Sequence, residues 1–86
     1  MNTADKIRTF ITTSFYVADP AGLADDASFL DRGIIDSTGV LEVVTFLEDT
    51  FGITVGDSEM LPENLDSVKN LTAFVERKLA NPGVAG

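Results

Sequence analysis

Apolar residues recur at helical spacing in three stretches of the chain, which predicts three main helices. The first stretch covers about residues 3–15, with Asn2 or Thr3 as its candidate N-cap. The second, about residues 37–51, is the most regular, and Gly52 is suited to end it in the left-handed conformation. Its apolar side chains form one stripe that we expect to be buried: Val40, Val43, Val44, Leu47 and Phe51.

The last helix is expected to begin after Ser67, which caps it, and to stop at Asn81-Pro82-Gly83. Its predicted inward positions are Val68, Leu71, Phe74, Val75 and Leu79. Pro62 favours one short helical turn at about residues 61–65. Roughly twenty residues without clear periodicity separate the first two helices, a length that is unusual for a structureless loop in a small domain. Its apolar residues are therefore expected to pack against the core: Leu23, Phe29, Leu30, Ile34 and Ile35.

These elements predict an all-α fold, a small bundle of three main helices plus one short helix. The 86 residues fit one domain, which we place at residues 1–80, and residues 81–86 are expected to form a flexible C-terminal tail. Because the chain begins at Met1 and ends in a short tail, we expect a free-standing protein. We also expect it to be a monomer.

The charge of the chain is concentrated in its middle. Fourteen acidic residues against six basic ones give a net charge of −8. Between residues 19 and 66, twelve acidic residues face Arg32 alone, so this segment carries −11. Such a surface repels nucleic acids and anionic membranes, and we expect basic protein patches or cations as its counterparts.

The residue types that are missing exclude several kinds of chemistry. The sequence has no His and no Cys, which excludes Ser-His and Cys-His catalysis, disulfides and the usual zinc ligand sets. No apolar run approaches the roughly 20 residues of a membrane span, and the N-terminus lacks the pattern of a signal peptide. We therefore expect a soluble, cytoplasmic, non-catalytic domain without a metal site.

The dipeptide Asp36-Ser37 stands where the long loop meets the most regular helix. Either side chain can cap the helix, which is a sufficient structural reason for the pair. Thr38 and Gly39 follow, although Gly inside a helix costs about 1 kcal/mol relative to Ala. Small residues at a helix start allow another molecule to approach, and the N–H groups there favour a phosphate. A phosphodiester on Ser37 is therefore possible but not required.

The run from Phe29 to Ser37, Phe-Leu-Asp-Arg-Gly-Ile-Ile-Asp-Ser, resembles the attachment motif of acyl carrier proteins. The resemblance extends over nearly the whole chain, including the long loop, the acidic second helix and the Phe51-Gly52-Ile53 sequence that follows it. It implies that Ser37 carries 4′-phosphopantetheine derived from coenzyme A. It also implies that Asp36 helps a phosphopantetheinyl transferase to recognise the chain.

The same resemblance implies a carrier function. Acyl or aminoacyl groups would be carried as thioesters between partner enzymes, namely a loading enzyme such as an acyl- or aminoacyl-adenylate ligase and downstream acyl-transfer enzymes with basic docking patches. The second helix would be the recognition face, through Thr38, Leu41, Glu42, Thr45 and Glu48. The chain itself would be a substrate of these enzymes and would catalyse nothing.

One departure from the family pattern affects the expected pathway. Many fatty-acid carriers have Leu after the serine, whereas this chain has Thr38. Asp-Ser-Thr-Gly is more similar to the D-alanyl carrier proteins and to discrete carriers served by adenylating ligases, so we expect a specialised biosynthetic pathway. Phe46 and Phe51 either narrow the interior available to a cargo or simply fill it. The alternative function is an acidic protein-interaction module without a prosthetic group.

Overall fold

Residues 2–80 fold into four α-helices connected by one long and two shorter segments. The computed structural model describes residues 2–80, and the side chains of Pro20 and Ser37 lie outside that description. The helices are α1 (Thr3–Ser14), α2 (Ser37–Phe51), α3 (Pro62–Leu65) and α4 (Val68–Ala80). Residues 2–80 contain no strand, so the prediction of three main helices and one short one is confirmed.

Side chains at the helix ends account for where the helices begin and stop. Asn2, Asp36 and Ser67 each accept a hydrogen bond from the amide three residues further on, at 2.8, 2.8 and 3.0 Å. Asn2 is therefore the cap of α1, and Asp36 is the cap of α2. Gly52 ends α2 with a φ of 69°, in the left-handed region that glycine adopts without a steric penalty. The helix stop predicted at residues 81–83 and the predicted tail at 81–86 lie outside the described residues.

The core lies where α1, α2 and α4 face one another and the long loop covers them. Its members come from every part of the fold, and the largest fully buried ones are Phe29, Phe74, Ile7, Ile11, Leu47, Leu71, Val43, Val68 and Val75. Two apolar residues predicted to be inward are instead exposed: Leu30 by 50% and Leu79 by 47%. Phe29 and Ile35 already fill the interior beside Leu30, and Leu79 lies in the last turn of α4, beyond the buried Val75.

Polar contacts fix the long loop to the helices at two places, one in each half of the loop. Arg8 of α1 donates a hydrogen bond to the carbonyl of Leu23 at 2.6 Å and pairs with the carboxylate of Asp25. The carbonyl of Asp25 accepts from the amide of Lys69 in α4 at 2.8 Å. These contacts hold the first half of the loop across α1 and α4.

The second half of the loop is fixed to the junction between α3 and α4. The Asp66 carbonyl accepts from the amide of Phe29 at 2.7 Å, and its carboxylate accepts from the Leu30 amide at 3.0 Å. The hydroxyl of Ser28 donates to the same carboxylate. Since the chain runs from here to Ser37 in a few residues, Asp66 limits where α2 can begin.

A half-buried ion pair fixes the connection between α2 and α3. The carboxylate of Glu59 accepts from the amide of Gly56 at 2.9 Å and from Nζ of Lys78 at 3.0 and 3.1 Å. The hydrogen bond from the Gly56 amide, together with the charge of Lys78, lowers the pKa of Glu59 below its ordinary value of 4.5, although desolvation acts the other way. Glu59 therefore ties a 3₁₀ turn (Asp57–Glu59) to the surface of α4 as a carboxylate.

Candidate functional site

The predicted attachment residue, Ser37, is the first residue of α2. Its neighbours Asp36 and Thr38 are both exposed, so the chain around this position is accessible from outside. Oδ1 of Asp36 accepts a hydrogen bond from the amide of Gly39 at 2.8 Å. The two capping possibilities that the sequence left open are thus resolved in favour of Asp36, and the backbone of Ser37 belongs to the helix.

Gly39 is the residue whose role the sequence reading assigned wrongly. It is buried, and the space beside it is filled by the protein itself rather than left open for another molecule. A Cβ atom there would lie 2.9 Å from Cε1 of Phe15 and 3.1 Å from Cγ2 of Ile35. Glycine therefore lets the first turn of α2 pack tightly against both ends of the long loop.

The start of α2 suits an attached phosphodiester. N–H groups in a first helical turn lack intrahelical acceptors, and the helix dipole places partial positive charge there. The amide of Gly39 donates to the carboxylate of Asp36. The amides that precede it in the first turn lie where phosphate groups commonly bind. Within residues 2–80, no group of three or more His, Cys, Asp and Glu residues is arranged to hold a metal ion.

The predicted recognition residues do not all have the same environment. Thr38, Leu41, Glu42 and Thr45 are exposed, and the apolar side chain of Leu41 is 58% exposed. Glu48 is half-buried, because its Oε2 accepts a hydrogen bond from the amide of Val55 at 3.0 Å. Its carboxylate thus fastens the segment after α2, which the resemblance to the family did not indicate.

The two aromatic residues of α2, Phe46 and Phe51, do not line the small half-open pocket beside the long loop. Phe46 stacks on Phe10 of α1 with ring centroids 4.1 Å apart, and Phe51 contacts Phe46 edge to face at 5.9 Å. A cavity of about 80 Å³ lies instead between the loop before α2 and the segment around α3, and its lining includes neither ring. Phe46 and Phe51 therefore fill the contact between α1 and α2.

Asp66 lines the small pocket between the long loop and α3, and its contacts with the loop were not predicted from the sequence. Its position just before the Ser67 cap looks like ordinary helix-start chemistry, and nothing local indicates a partner in another part of the chain. The sequence gives only an indirect indication of this role. The amides of a long ordered loop need hydrogen-bond acceptors, and some of these must come from other parts of the chain.

No helix in the described part of the chain is both long enough and apolar enough to cross a membrane.

Residues 5–75 match the model of a protein family described as the phosphopantetheine attachment site. That range contains α2, α3 and the whole of the long loop.

Proteins with a similar sequence are named as carriers. The chain is 28% identical over 81 residues to the "probable acyl carrier protein PigG" of Serratia sp., covering 94% of this chain and 93% of that protein. It is 34% identical over 76 residues to an acyl carrier protein of Campylobacter hominis, covering 88% and 92%. A D-alanyl carrier protein of Abiotrophia defectiva is 29% identical over 55 residues, covering 64% and 70%.

The fold matches a solved carrier. The solution NMR structure of a holo acyl carrier protein from Nitrosomonas europaea superposes with a TM-score of 0.72 at 25% identity, covering 94% of this chain and 100% of that one. The family match, the carrier relatives and this shared fold agree with one another. The chain belongs to the acyl carrier protein family, in which 4′-phosphopantetheine is the covalently attached cofactor.

Proposed function

We propose that this acyl carrier protein carries acyl or aminoacyl groups as thioesters on a phosphopantetheine attached to Ser37. The observation that carries this assignment is the position of Ser37 at the start of α2, inside the range matched by the family. The amide of Gly39 is taken by Asp36, and the N–H groups that precede it in the first turn create surroundings that favour an anionic phosphodiester.

Attachment requires a second protein. The Ser37 hydroxyl oxygen forms a new bond to phosphorus in the pyrophosphate of coenzyme A. The bond from that phosphorus to the nucleotide half of coenzyme A breaks, and the hydroxyl proton must pass to a base. The sequence contains no His, and Oδ1 of Asp36 is engaged in capping α2. A phosphopantetheinyl transferase therefore supplies the base and the metal, and the exposed Asp36 contributes to its recognition.

When attached, the cofactor supplies the thiol that this cysteine-free chain lacks. The protein's own task is to present that arm and to be recognised by successive enzymes. The proposed recognition face consists of Thr38, Leu41, Glu42, Thr45 and Glu48 on α2. The exposed carboxylate of Glu42 would meet basic patches on a loading enzyme and on acyl-transfer enzymes, whereas the carboxylate of Glu48 also accepts from the amide of Val55. Docking of this kind is fast, sensitive to salt and easily reversed, as a shuttle requires.

The pathway we propose is a specialised one, served by a separate acyl- or aminoacyl-adenylate ligase. Thr38 replaces the Leu that follows the serine in many fatty-acid carriers, and the similar proteins include a D-alanyl carrier protein. The half-open pocket of about 80 Å³ also supports a short or external cargo, since pockets that enclose ligands usually measure about 300 Å³ or more.

Intact-protein mass spectrometry tests the attachment. Incubation with coenzyme A and a broad-specificity phosphopantetheinyl transferase should add one phosphopantetheinyl group to the wild type and none to Ser37→Ala. Ser58→Ala is the matched control, because Ser58 is exposed in the turn before α3 and should be irrelevant to modification. If several transferases leave the wild type unmodified, the alternative of an acidic interaction module gains support. Modification of Ser37→Ala would show that the attachment residue is wrong.

Cargo placement has its own test. Transferases accept acyl-coenzyme A, so acetyl and octanoyl forms can be prepared on the same protein. If the cargo stays outside, the two forms should melt at the same temperature. A melting temperature that rises with chain length would show that the helices separate to enclose the chain.

A further inference from the structure

A half-open pocket of about 400 Å³ lies between the end of α1 and the two halves of the long loop. We call it the Tyr16 pocket and define it by the residues that line it, 16–19, 22–23 and 32–34. Its volume falls within the range of pockets that bind small ligands, about 300–1,000 Å³, unlike that of the pocket beside α3. The Tyr16 pocket is therefore large enough to hold a ligand.

The pocket contains a cation that the protein leaves without a partner. Arg32 is the single base between residues 19 and 66. It is exposed and forms no ion pair with any described residue, although Asp19 lines the same pocket. The carboxylate of Asp19 instead accepts from the amide of Gly22 at 3.1 Å. The guanidinium of Arg32 is therefore available to an oxygen acceptor brought from outside.

The wall of the pocket next to α1 offers unpaired backbone groups. The chain leaves α1 through Phe15, whose backbone is extended, and among the described residues no acceptor pairs with the amides of Val17 and Ala18. Backbone groups of this kind can pair with the amides of a peptide-like ligand. Tyr16 adds an aromatic ring, and the buried Leu23 adds an apolar surface. The pocket thus suits a ligand that alternates amides with short apolar segments.

The proposed cofactor brings a ligand of this kind close to the pocket. The pantetheine part is an uncharged chain with two amides, a hydroxyl, a pair of methyl groups and a terminal thiol. Its chain atoms match about four extended residues, which gives it a reach of about 14 Å. Ile34 lines the pocket and precedes Ser37 by three residues, so their Cα atoms lie at most about 11 Å apart. The arm is therefore long enough to enter the pocket from the side of Ile34.

The pocket beside α3 suits the arm less well. It measures about 80 Å³, and its lining side chains are apolar apart from Asp66, whose carboxylate already accepts from Ser28 and from the amide of Leu30. Amides buried there would lose their hydrogen bonds to water without gaining others. Because the Tyr16 pocket supplies replacement partners, it is the better match for the arm.

We propose that the Tyr16 pocket is a resting site for the pantetheine arm of the holo protein. Arg32 donates to an oxygen of the arm, the backbone at Val17 and Ala18 pairs with an amide, and Tyr16 covers the chain. The carrier thus holds the arm between visits to its partner enzymes, and an enzyme that needs the thioester draws the arm out. This proposal rests on the assignment of Ser37 as the attachment residue.

Tyrosine fluorescence tests the site directly, because Tyr16 is the only tyrosine and the chain has no tryptophan. Tyr16 is 78% exposed, so acrylamide should quench its emission efficiently in the apo protein. Conversion to the holo form should lower the quenching constant about twofold, since a site occupied for about half of the time hides Tyr16 for that fraction. Ser37→Ala, treated with the same transferase and coenzyme A, should keep the apo value.

A charge variant shows whether Arg32 holds the arm. In Arg32→Gln the holo form should be quenched nearly as strongly as the apo form, because the charged donor is lost. Lys69→Gln removes an exposed cation from α4 and should keep the wild-type difference between the two forms. Circular dichroism confirms that both variants are folded, and mass spectrometry confirms that both are modified.

Amide exchange with water, measured by NMR, gives an independent readout. The amides of Val17 and Ala18 should exchange about twofold more slowly in the holo protein. The amide of Thr54, which is exposed and also lacks an acceptor among the described residues, should not change.

Three results would overturn the proposal. Equal quenching and equal exchange in the apo and holo proteins would show that the arm stays in solvent. An Arg32→Gln protein that behaves like Lys69→Gln would show that Arg32 does not hold the arm. A wild type that is never modified would overturn the attachment proposal, and the resting site with it, so the two failures are distinguishable.

Discussion

The amide of Leu30 donates a hydrogen bond to Oδ1 of Asp66 at 3.0 Å, joining residues 36 positions apart. The same carboxylate accepts from the hydroxyl of Ser28, and the Asp66 carbonyl accepts from the amide of Phe29. One residue at the junction between α3 and α4 thus holds three consecutive residues of the long loop. Because these residues precede the Asp36-Ser37 pair by less than ten positions, the placement of the attachment site depends on a contact remote from it in sequence.

We expect Asp66→Asn to destabilise the protein. The amide keeps an oxygen for one of the two side-chain hydrogen bonds but loses the negative charge that strengthens both. The free energy of unfolding should fall by about 1–3 kcal/mol, measured by urea denaturation at neutral pH. Asp26→Asn removes an exposed carboxylate from the same loop and is the control. Equal unfolding free energies for the two variants would mean that Asp66 does not restrain the loop.

Gly39→Ala is expected to reveal how closely the start of α2 is packed. Alanine is favoured by about 1 kcal/mol within a helix, but its Cβ would lie 2.9 Å from Phe15 and 3.1 Å from the buried Ile35. Overpacking usually costs about 1–3 kcal/mol, so we expect a net loss of stability of about 1 kcal/mol.

A double-mutant cycle identifies the cause of that loss. In the Phe15→Ala background the nearer of the two crowding atoms is gone and only Cγ2 of Ile35 remains, at 3.1 Å, so adding Gly39→Ala should destabilise the protein less than it does in the wild type. Urea denaturation of the four proteins gives the coupling energy. If the glycine substitution has the same effect with and without the Phe15 ring, the close contact does not explain why Gly39 is present.

Local pattern was sufficient to predict the four helices, because their signals lie within a few residues: the apolar stripe of α2, Pro62, the Ser67 cap and Gly52. It left two candidates for the cap of α1 and two for the cap of α2, of which the structure selects Asn2 and Asp36. Local pattern could not predict the environment of a residue whose contact partner lies in another element of the fold. The burial of Gly39 follows from Phe15, which no periodicity connects to α2. The half-buried state of Glu48 follows from the amide of Val55, which the helical pattern alone could not indicate.

Added salt or magnesium should stabilise the protein against heat. The segment from residue 19 to residue 66 carries −11, and its mutual repulsion is screened at high ionic strength. Screening also weakens the Arg8–Asp25 ion pair, but Asp25 is 67% exposed, and exposed pairs contribute at most about 1 kcal/mol. We therefore expect repulsion to dominate and the melting temperature to rise in calorimetry with either NaCl or MgCl₂.

A variant with fewer acids provides the control for that effect. Asp31→Asn combined with Glu42→Gln and Asp49→Asn removes three exposed charges, and should melt higher than the wild type at low salt and gain less from added salt. A wild-type melting temperature that is indifferent to both salts would show that the acids are too far apart to repel one another appreciably.

The stability of the protein should depend on the ionisation of Glu59. The amide of Gly56 and the ammonium of Lys78 lower the pKa of Glu59 below 4.5 in the folded chain, whereas the unfolded chain lacks both partners. A carboxyl with a lowered folded pKa contributes stability that is fully present above its unfolded pKa and is lost as the pH falls through the folded value. Unfolding free energies measured in urea from about pH 6 downward should therefore decrease through this range, and Glu59→Gln should remove part of that decrease.

Two further variants separate the causes. Glu63→Gln neutralises an exposed carboxylate on α3 and should leave the pH dependence close to that of the wild type. Lys78→Gln should weaken the dependence without abolishing it, because the Gly56 amide still donates to Glu59 at 2.9 Å and is the larger cause of the lowered pKa. If Lys78→Gln removes the effect as completely as Glu59→Gln does, then the ion pair, rather than the hydrogen bond from Gly56, controls the ionisation of Glu59.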